Sequence, residues 1–124
     1  MEQRLLRYLT ALDAAKTHSD EQIRTLAGEG RQDEANLEKI RRNVYDIFTA
    51  LANADAAQAR KESDPAEAFQ RIHTVRFDRF PEPWRQRQQK AAAHGDVVTQ
   101  TIEETKLKTV ARIWTVFQET EETL

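Results

Sequence analysis

The chain of 124 residues has no cysteine, three glycines, three prolines and a single methionine. Without cysteine there are no disulfides, no thiol catalysis and no cysteine-ligated zinc or iron–sulfur centre. The three glycines form no phosphate-cradling loop of the P-loop or Rossmann type. No apolar run approaches the ~18 residues of a membrane-spanning helix, and the first residues lack the apolar core of a signal peptide. We therefore expect a cytoplasmic protein without a transmembrane segment.

Apolar residues are also scarce. Hydrophobic residues make up 39% of the chain and charged residues 32%, and the mean hydropathy is -0.79. Leu, Ile, Val and Phe together reach about 21%, just above the composition at which disorder becomes the default. These residues are periodic rather than scattered, so we predict one folded helical domain over residues 1–124 with a thin core. A thin core in a helical protein is often completed by a second copy or a partner.

The first half of the chain does contain a regular pattern of apolar residues at spacings of three and four. Such spacings place side chains on one stripe of a helix that packs lengthwise against others. The stripe consists of Leu5, Leu9, Leu12, Ile23, Leu26, Leu37, Ile40, Val44, Ile47 and Leu51. Together with the patterns of the second half, it predicts an all-α fold: an antiparallel bundle of four or five helices.

The first helix begins near residue 2, but its length is open. Ser19 followed by Gln22 matches a capping box, which predicts that a new helix starts there. The apolar stripe continues through this point without a change of phase, which favours one bent helix over residues 2–27. Residues 2–60 therefore contain either two or three helices.

The pair of glycines at Gly28 and Gly30 is the clearest break in the first half, because glycine readily adopts the left-handed conformation that ends a helix. The stretch from Gly30 to Ala35 resembles the turn between the two helices of a tetratricopeptide unit. The resemblance covers six residues, and Lys39 stands where that family has an aromatic residue. The resemblance implies an antiparallel helical hairpin and nothing more. Independently of it, the acidic residues that follow Arg31 predict a long helix that begins there and runs to about Lys61. A single kinked helix is the alternative.

Proline and capping residues divide the second half. Asp64 before Pro65 is a strong signal for a helix start. The two prolines between Phe80 and Trp84 predict a corner near 80–84, because each removes a hydrogen-bond donor and disfavours helix in the residue before it. A short helix over roughly 83–94 follows.

The last helix is predicted to begin after Gly95, a C-cap, and Asp96, an N-cap, and to run to about residue 122. Seven threonines from Thr99 onward lower its helix propensity and raise a strand alternative. No turn residue interrupts this stretch, and a strand of that length is rare. One continuous helix is therefore favoured.

The same periodicity predicts which side chains point inward. They are Leu5, Leu6, Leu9 and Leu12 in the first helix, Val44, Ile47 and Phe48 in the second, Phe69, Ile72, Val75 or Arg76 and Phe77 or Phe80 in the third, and Val98, Ile102, Val110, Ile113, Trp114 and Phe117 in the last. Tyr45 is predicted to point off this face.

The sequence contains no recognisable catalytic or metal-binding motif. Di-iron bundles use Glu-x-x-His on two helices, but the residues three positions before the three histidines are Ala15, Gln70 and Ala91. His73, next to the inward stripe, is predicted to be a hydrogen-bonded core histidine or an exposed one. We predict no metal, no cofactor and no catalytic site, and expect no enzymatic activity. A pocket that gathers His73, Trp84 and Trp114 would argue for a ligand-binding function instead.

One segment combines positive charge with aromatic residues. Residues 71–94 carry six Lys or Arg and two acidic residues, whereas residues 95–124 carry three basic and six acidic residues. Arginine neutralises phosphate and aromatic rings stack on unpaired bases. The candidate anion- or partner-binding residues are Arg71, Arg76, Arg79, Trp84, Arg85, Arg87 and Lys90. The structural interpretation, which we favour, is that the aromatic rings form core while the arginine stems cover them.

The function predicted from these observations is a non-catalytic helical interaction or structural module. Its partner is expected to be a second copy, giving a homodimer, or another helical protein. The alternative is binding of nucleic acid or another anionic surface through residues 71–90. Steep salt dependence distinguishes the alternative from apolar dimerisation.

Overall fold

The computed structural model describes residues 1–121, which form five helices and no strand. The helices are α1 (Glu2–Gly28), α2 (Gln32–Ala59), α3 (Pro65–Arg79), α4 (Glu82–Ala93) and α5 (Val97–Glu119). α1 packs along α2, α2 also contacts α3 and α5, and α4 packs on α5. This confirms the predicted all-α antiparallel bundle. None of the helices in the described part of the chain is both long and apolar enough to span a membrane.

Four successive helical stretches run alternately up and down; they are α1, α2, α3 together with α4, and α5. Arg60, just after α2, pairs with Glu2 at the start of α1 at 2.8 Å. Near the end of α5, the ring of Phe117 lies 5.2 Å from that of Tyr8. The last turns of α2 and α5 therefore meet the first turns of α1. α3 and α4 together lead from the end of α2 to the start of α5 and form one interrupted helical stretch.

The interruption between α3 and α4 lies at the predicted proline corner, which is confirmed. α3 ends at Arg79 and α4 begins at Glu82, so the two helices are separated by only two residues. Pro81 has no N–H to continue α3, and its carbonyl accepts the N–H groups of Trp84 and Arg85 at 2.9 and 3.1 Å. The corner is therefore the first turn of the next helix.

The structure resolves the open boundaries of the first half. Residues 2–60 contain two helices, and Gly30, with φ of 74°, reverses the chain between them. The single kinked helix is therefore wrong. The predicted restart at Ser19 is also wrong: Ser19 is 1% exposed, and its hydroxyl donates to Glu38 of α2 at 2.8 Å. That hydroxyl joins two helices rather than capping one.

The predicted caps of the second half are confirmed. Asp64 accepts the N–H of Glu67 at 3.2 Å, and Asp96 accepts that of Thr99 at 3.1 Å. Gly95 has φ of 69°, the left-handed conformation expected of a C-cap. α5 is one continuous helix that ends at Glu119; the predicted end at residue 122 lies outside the described residues.

Threonines are tolerated inside α5 because their hydroxyls are satisfied within the helix. The hydroxyls of Thr105 and Thr109 donate to the carbonyls four residues earlier, both at 2.8 Å. These bonds let the two side chains lie buried without a partner from another helix. The strand alternative is wrong, because residues 97–119 form one α-helix.

The centre of the core is an aromatic cluster contributed by α1, α2, α3 and α5. Its fully buried rings are those of Tyr8, Phe48, Phe69, His73 and Phe117. Beside it, small side chains of α2 allow close approach of the neighbouring helices; Ala52, Ala56 and Ala59 are all 0% exposed. Val44 and Phe48 are buried as predicted, and Ile47 packs against the cluster while partly exposed.

Several predicted core positions are wrong. Leu6 is 67% exposed because α1 buries only the narrow stripe through Leu5, and Val98 is 71% exposed because it lies in the first turn of α5, beyond the packed core. Val75 is also exposed, and the alternative position, Arg76, turns towards α2. Tyr45, predicted to point away, is 9% exposed.

Candidate functional site

A hydrogen-bonded chain of three polar side chains crosses the core. Asp55 of α2 lies 2.9 Å from Nδ1 of His73 on α3, and Nε2 of His73 lies 2.8 Å from the hydroxyl of Tyr8 on α1. The three residues are 2%, 0% and 0% exposed. Because an ionised carboxylate only accepts, Nδ1 of His73 carries the proton, and Nε2 accepts the proton of the Tyr8 hydroxyl. Every polar atom of the imidazole is thus satisfied.

Burial determines the charge state of this chain. It lowers the pKa of His73, although the Asp55 carboxylate acts in the opposite direction, so the imidazole is neutral. Burial would raise the pKa of Asp55, but hydrogen bonds from Arg76 and His73 outweigh it and hold the pKa below its ordinary range. Burial raises the pKa of Tyr8. The chain from Asp55 to Tyr8 therefore carries one negative charge, on Asp55.

That charge is neutralised by Arg76 at the edge of the core. Its Nη2 and Nε donate to the two carboxylate oxygens of Asp55 at 2.8 and 3.1 Å. The side chain of Arg76 is 38% exposed, so it connects the buried carboxylate to solvent. This two-point geometry is the strong form of an arginine–carboxylate pair.

Another arginine, which is buried, joins α1 to the end of α5. Arg4, 6% exposed, donates to the carbonyl of Phe117 at 3.0 Å and to the hydroxyl of Thr120 at 3.3 Å. Its guanidinium also lies 4.0 Å from the centre of the Phe117 ring and bonds to Gln70 of α3. Arg4 therefore fixes α1, α3 and α5 at one end of the bundle.

Chemically, these networks are closed. No substrate reaches the imidazole of His73 unless the helices separate, because the side chains of Tyr8 and Asp55 cover both of its nitrogens. Within residues 1–121, no group of three or more His, Cys, Asp or Glu side chains is arranged to hold a metal ion. The arrangement is suited to fixing the register of α1, α2 and α3.

The predicted anion-binding residues do not form one surface with free charges. Arg71 pairs with Glu62 and Glu67 at 2.9 and 3.1 Å, and Arg85 pairs with Glu82 at 2.9 Å. Arg85 also donates to the carbonyls of Asp78 and Phe77, which brace the corner.

The remaining members of that set differ in how they are held. Arg87 lies 3.7 Å from the buried carboxylate of Glu103, whereas Arg79 and Lys90 are exposed and form no ion pair with any described residue. Trp84 is 8% exposed and has the ammonium of Lys106 5.4 Å from the centre of its ring. Its ring therefore has little free face on which a base could stack. Binding of anions by the segment stays a prediction.

A groove of about 590 Å³ runs between α3, α4 and α5. Phe77, Leu107, Val110 and Trp114 form its apolar part. His73 and Trp84 do not line it, so the ligand pocket that would gather both tryptophans and His73 is not formed there.

A smaller groove of about 340 Å³ lies at the end of the bundle where α2 and α5 begin. We call it the α2–α5 end groove; it is lined by Asp33, Asn36, Leu37, Ile40, Val97, Val98, Thr101 and Ile102. Val97 and Val98 are 68% and 71% exposed, the largest values among the exposed large apolar side chains of the described chain. Asp33 is the only charged residue in the lining.

Sequence reasoning missed Asp55, Tyr8 and Arg4 as members of buried networks. A signal for Asp55 was present, because it lies four residues after Leu51 and next to Ala56, at an inward position of an otherwise alanine-lined face. A charge at such a position requires a buried partner. Which side chain supplies it depends on α3, far away in sequence.

Comparison with known proteins gives no match to a family model, to a curated protein or to a solved structure. The function is therefore argued from the geometry of these sites.

Proposed function

We propose that this protein is a non-catalytic interaction module that forms a homodimer through the α2–α5 end groove. The observation that carries the proposal is the exposure of Val97 and Val98 beside Leu37 and Ile40 in one groove. Contiguous exposed apolar surface is characteristic of protein contact sites.

The groove is a continuation of the core. Leu37 and Ile40 belong to the same stripe of α2 as Val44, which is 1% exposed. On α5, Val98 and Ile102 precede the buried Thr109 and Ile113 on one helical face. Both stripes thus extend beyond the part of the bundle where other helices cover them, and a second molecule would complete that burial.

Charge favours a second copy of this chain as the occupant. In a twofold dimer the same patch faces itself, so charges near the axis meet like charges. The end groove carries only Asp33, whereas the outer face of α3 carries Arg71, Arg76 and Arg79. The end groove can therefore face itself with few like charges in contact, and its association should respond little to salt.

Val98→Glu tests this interface without weakening the monomer. Val98 is the second residue of α5 after the N-cap Asp96, where a carboxylate interacts favourably with the helix dipole. In the dimer the same carboxylate would face its copy within an apolar contact. We expect the molar mass to fall to the 14.4 kDa of one chain at concentrations where the parent is a dimer.

Leu6→Glu is the matched control. Leu6 is 67% exposed and lies in the first turns of α1, at the opposite end of the bundle. The Leu6→Glu variant should dimerise as the parent does. Thermal melting should show that the Leu6→Glu and Val98→Glu variants are both folded. Equal loss of dimer in both variants, or a dimer that survives Val98→Glu, would contradict the assignment of the interface.

A second candidate function is binding of an anionic surface through residues 71–90. It is supported by Arg79 and Lys90, which have no ion pair among the described residues. The Arg79→Glu, Lys90→Glu double variant tests it, because neither side chain supports the fold. Retention on heparin at low salt should be lost in this variant; unchanged retention would remove the segment from consideration.

A further inference from the structure

A polar cavity of about 340 Å³ lies between α1, α2 and α5, away from the end groove. We call it the Arg112 cavity. It is lined by Ala15, His18, Ser19 and Gln22 of α1, by Glu38, Arg41 and Tyr45 of α2, and by Arg112 of α5. On α2 these residues lie about 100° around the helix from Leu37 and Ile40, given ~100° per residue.

The carboxylate of this cavity is already occupied. One carboxylate oxygen of Glu38 accepts the hydroxyl of Ser19 at 2.8 Å, and the other accepts Nη1 of Arg41 at 2.7 Å. The Glu38 side chain is 12% exposed and Ser19 is 1% exposed, so this network is built into the packing of α1 on α2. The negative charge of Glu38 is therefore neutralised by a group that the protein itself supplies.

The donors are not all occupied. Tyr45 is 9% exposed as a whole, but its hydroxyl, which bonds to no described residue, is open to solvent in the cavity. Arg112 forms no ion pair or hydrogen bond with any residue in the described part of the chain. Arg41 uses only Nη1 on Glu38, which leaves its other N–H groups. The cavity thus has unused donors and a net positive charge from two arginines and one glutamate.

We propose that the Arg112 cavity binds a small oxyanion, the carboxylate or phosphate group of a low-molecular-weight ligand. Oxyanions are the acceptors that match arginine and tyrosine donors of this kind. Arg112 approaches from α5, whereas Arg41 and Tyr45 belong to α2, so the ligand would connect α5 to the α1–α2 hairpin. The site is independent of self-association through the end groove.

The test is a titration with inorganic phosphate, and separately with succinate, at constant ionic strength set with sodium chloride. Binding is followed by the NMR signals of backbone amides and of arginine Nε–H groups. We expect saturable shifts at Arg112 and at residues 38–45 with at least one of the two anions. Phosphate alone would indicate a phosphate ligand, and succinate alone a carboxylate ligand.

Three variants make the assignment specific. Arg112→Gln should weaken binding about tenfold or more, as expected for loss of a charge-assisted contact. Tyr45→Phe should weaken it while leaving the apolar ring in place. Arg79→Gln removes another exposed, unpaired arginine and should leave binding unchanged. Absence of saturable binding by both anions, or binding that Arg112→Gln does not weaken, would overturn the proposal.

Discussion

Asp55 and His73 form a hydrogen bond of 2.9 Å inside the bundle, although they lie on different helices and are 2% and 0% exposed. The bond joins α2 to α3, and the other nitrogen of the imidazole extends the connection to Tyr8 of α1. A protein with few large apolar residues thus uses a polar network to fix the relative positions of three helices. Such networks stabilise only when every member is satisfied.

Asp55→Ala should therefore destabilise the fold. It leaves the Nδ1–H of His73 without an acceptor and Arg76 without its carboxylate. Breaking buried pairs costs ~3–5 kcal/mol, but Arg76 can turn to solvent, so we expect a loss of about 2–4 kcal/mol in the free energy of unfolding. Urea denaturation measures it. Asp13→Ala, at an exposed position of α1, should change stability by less than about 0.5 kcal/mol; equal losses would show that the pair carries no special role.

Stability should fall in mild acid because of His73. Its pKa is lowered in the folded protein, so below the ordinary value of about 6.5 the unfolded chain binds a proton that the folded chain does not. The contribution is fully present above pH 6.5 and is lost as the pH falls, by up to ~1.4 kcal/mol per pH unit. Asp55, whose pKa is also lowered, adds a further loss below about pH 4.

The pH effect is measured as the free energy of unfolding between pH 7.5 and 5, values chosen to bracket the ordinary histidine pKa of about 6.5. The double variant His18→Gln, His94→Gln removes the two exposed histidines, and its free energy of unfolding should change with pH as that of the parent does. His73→Gln should flatten this pH dependence. A pH dependence that disappears with the exposed histidines instead would contradict the burial argument.

Val44→Asp should cost several kcal/mol. Val44 is 1% exposed and packs among apolar side chains, where an aspartate must be buried charged or protonated. The melting temperature should drop by about ten degrees or more, taking ~4 °C per kcal/mol, the value at which the ranges for smaller and larger domains meet. Leu6→Asp, at a 67% exposed position, is the control and should melt near the parent.

Substitution of glycine by alanine is predicted to have different effects on stability at Gly95 and at Gly28. Gly95→Ala should destabilise by ~1–2 kcal/mol, because φ of 69° is strained for a residue with a Cβ even though the surrounding space is empty. Gly28→Ala should be neutral or stabilise by up to ~1 kcal/mol, because Gly28 is helical and nothing lies within 4 Å of its added Cβ. Thermal melts of both variants test this, and a shared sign would contradict the assigned backbone conformations.

The helix boundaries could be predicted from sequence because they depend on local chemistry. Asp64, Gly95 and Asp96 act on their own turns, and Pro81 lacks an N–H wherever the rest of the chain lies. Ser19 shows the limit of this reasoning. Its capping pattern is local, but the hydroxyl bonds to Glu38 on the antiparallel α2, and that contact exists only once the hairpin has formed.

The candidate sites were less predictable because they combine residues from distant segments. Periodicity identified Val98 as inward-facing, yet no helix of the described residues covers it, and it is 71% exposed. His73 was predicted to be a hydrogen-bonded core residue or an exposed one, and in the structure it is a core residue. Its partner Asp55 is 18 residues away in sequence and Tyr8 is 65 residues away, separations that no local pattern encodes.

The measurement that tests the central claim most directly is the molar mass by light scattering, over a range of protein concentrations at low and high salt. The proposal predicts a mass that rises towards twice the 14.4 kDa of one chain and does not move with salt. A mass that stays at 14.4 kDa at every concentration would contradict self-association through the end groove.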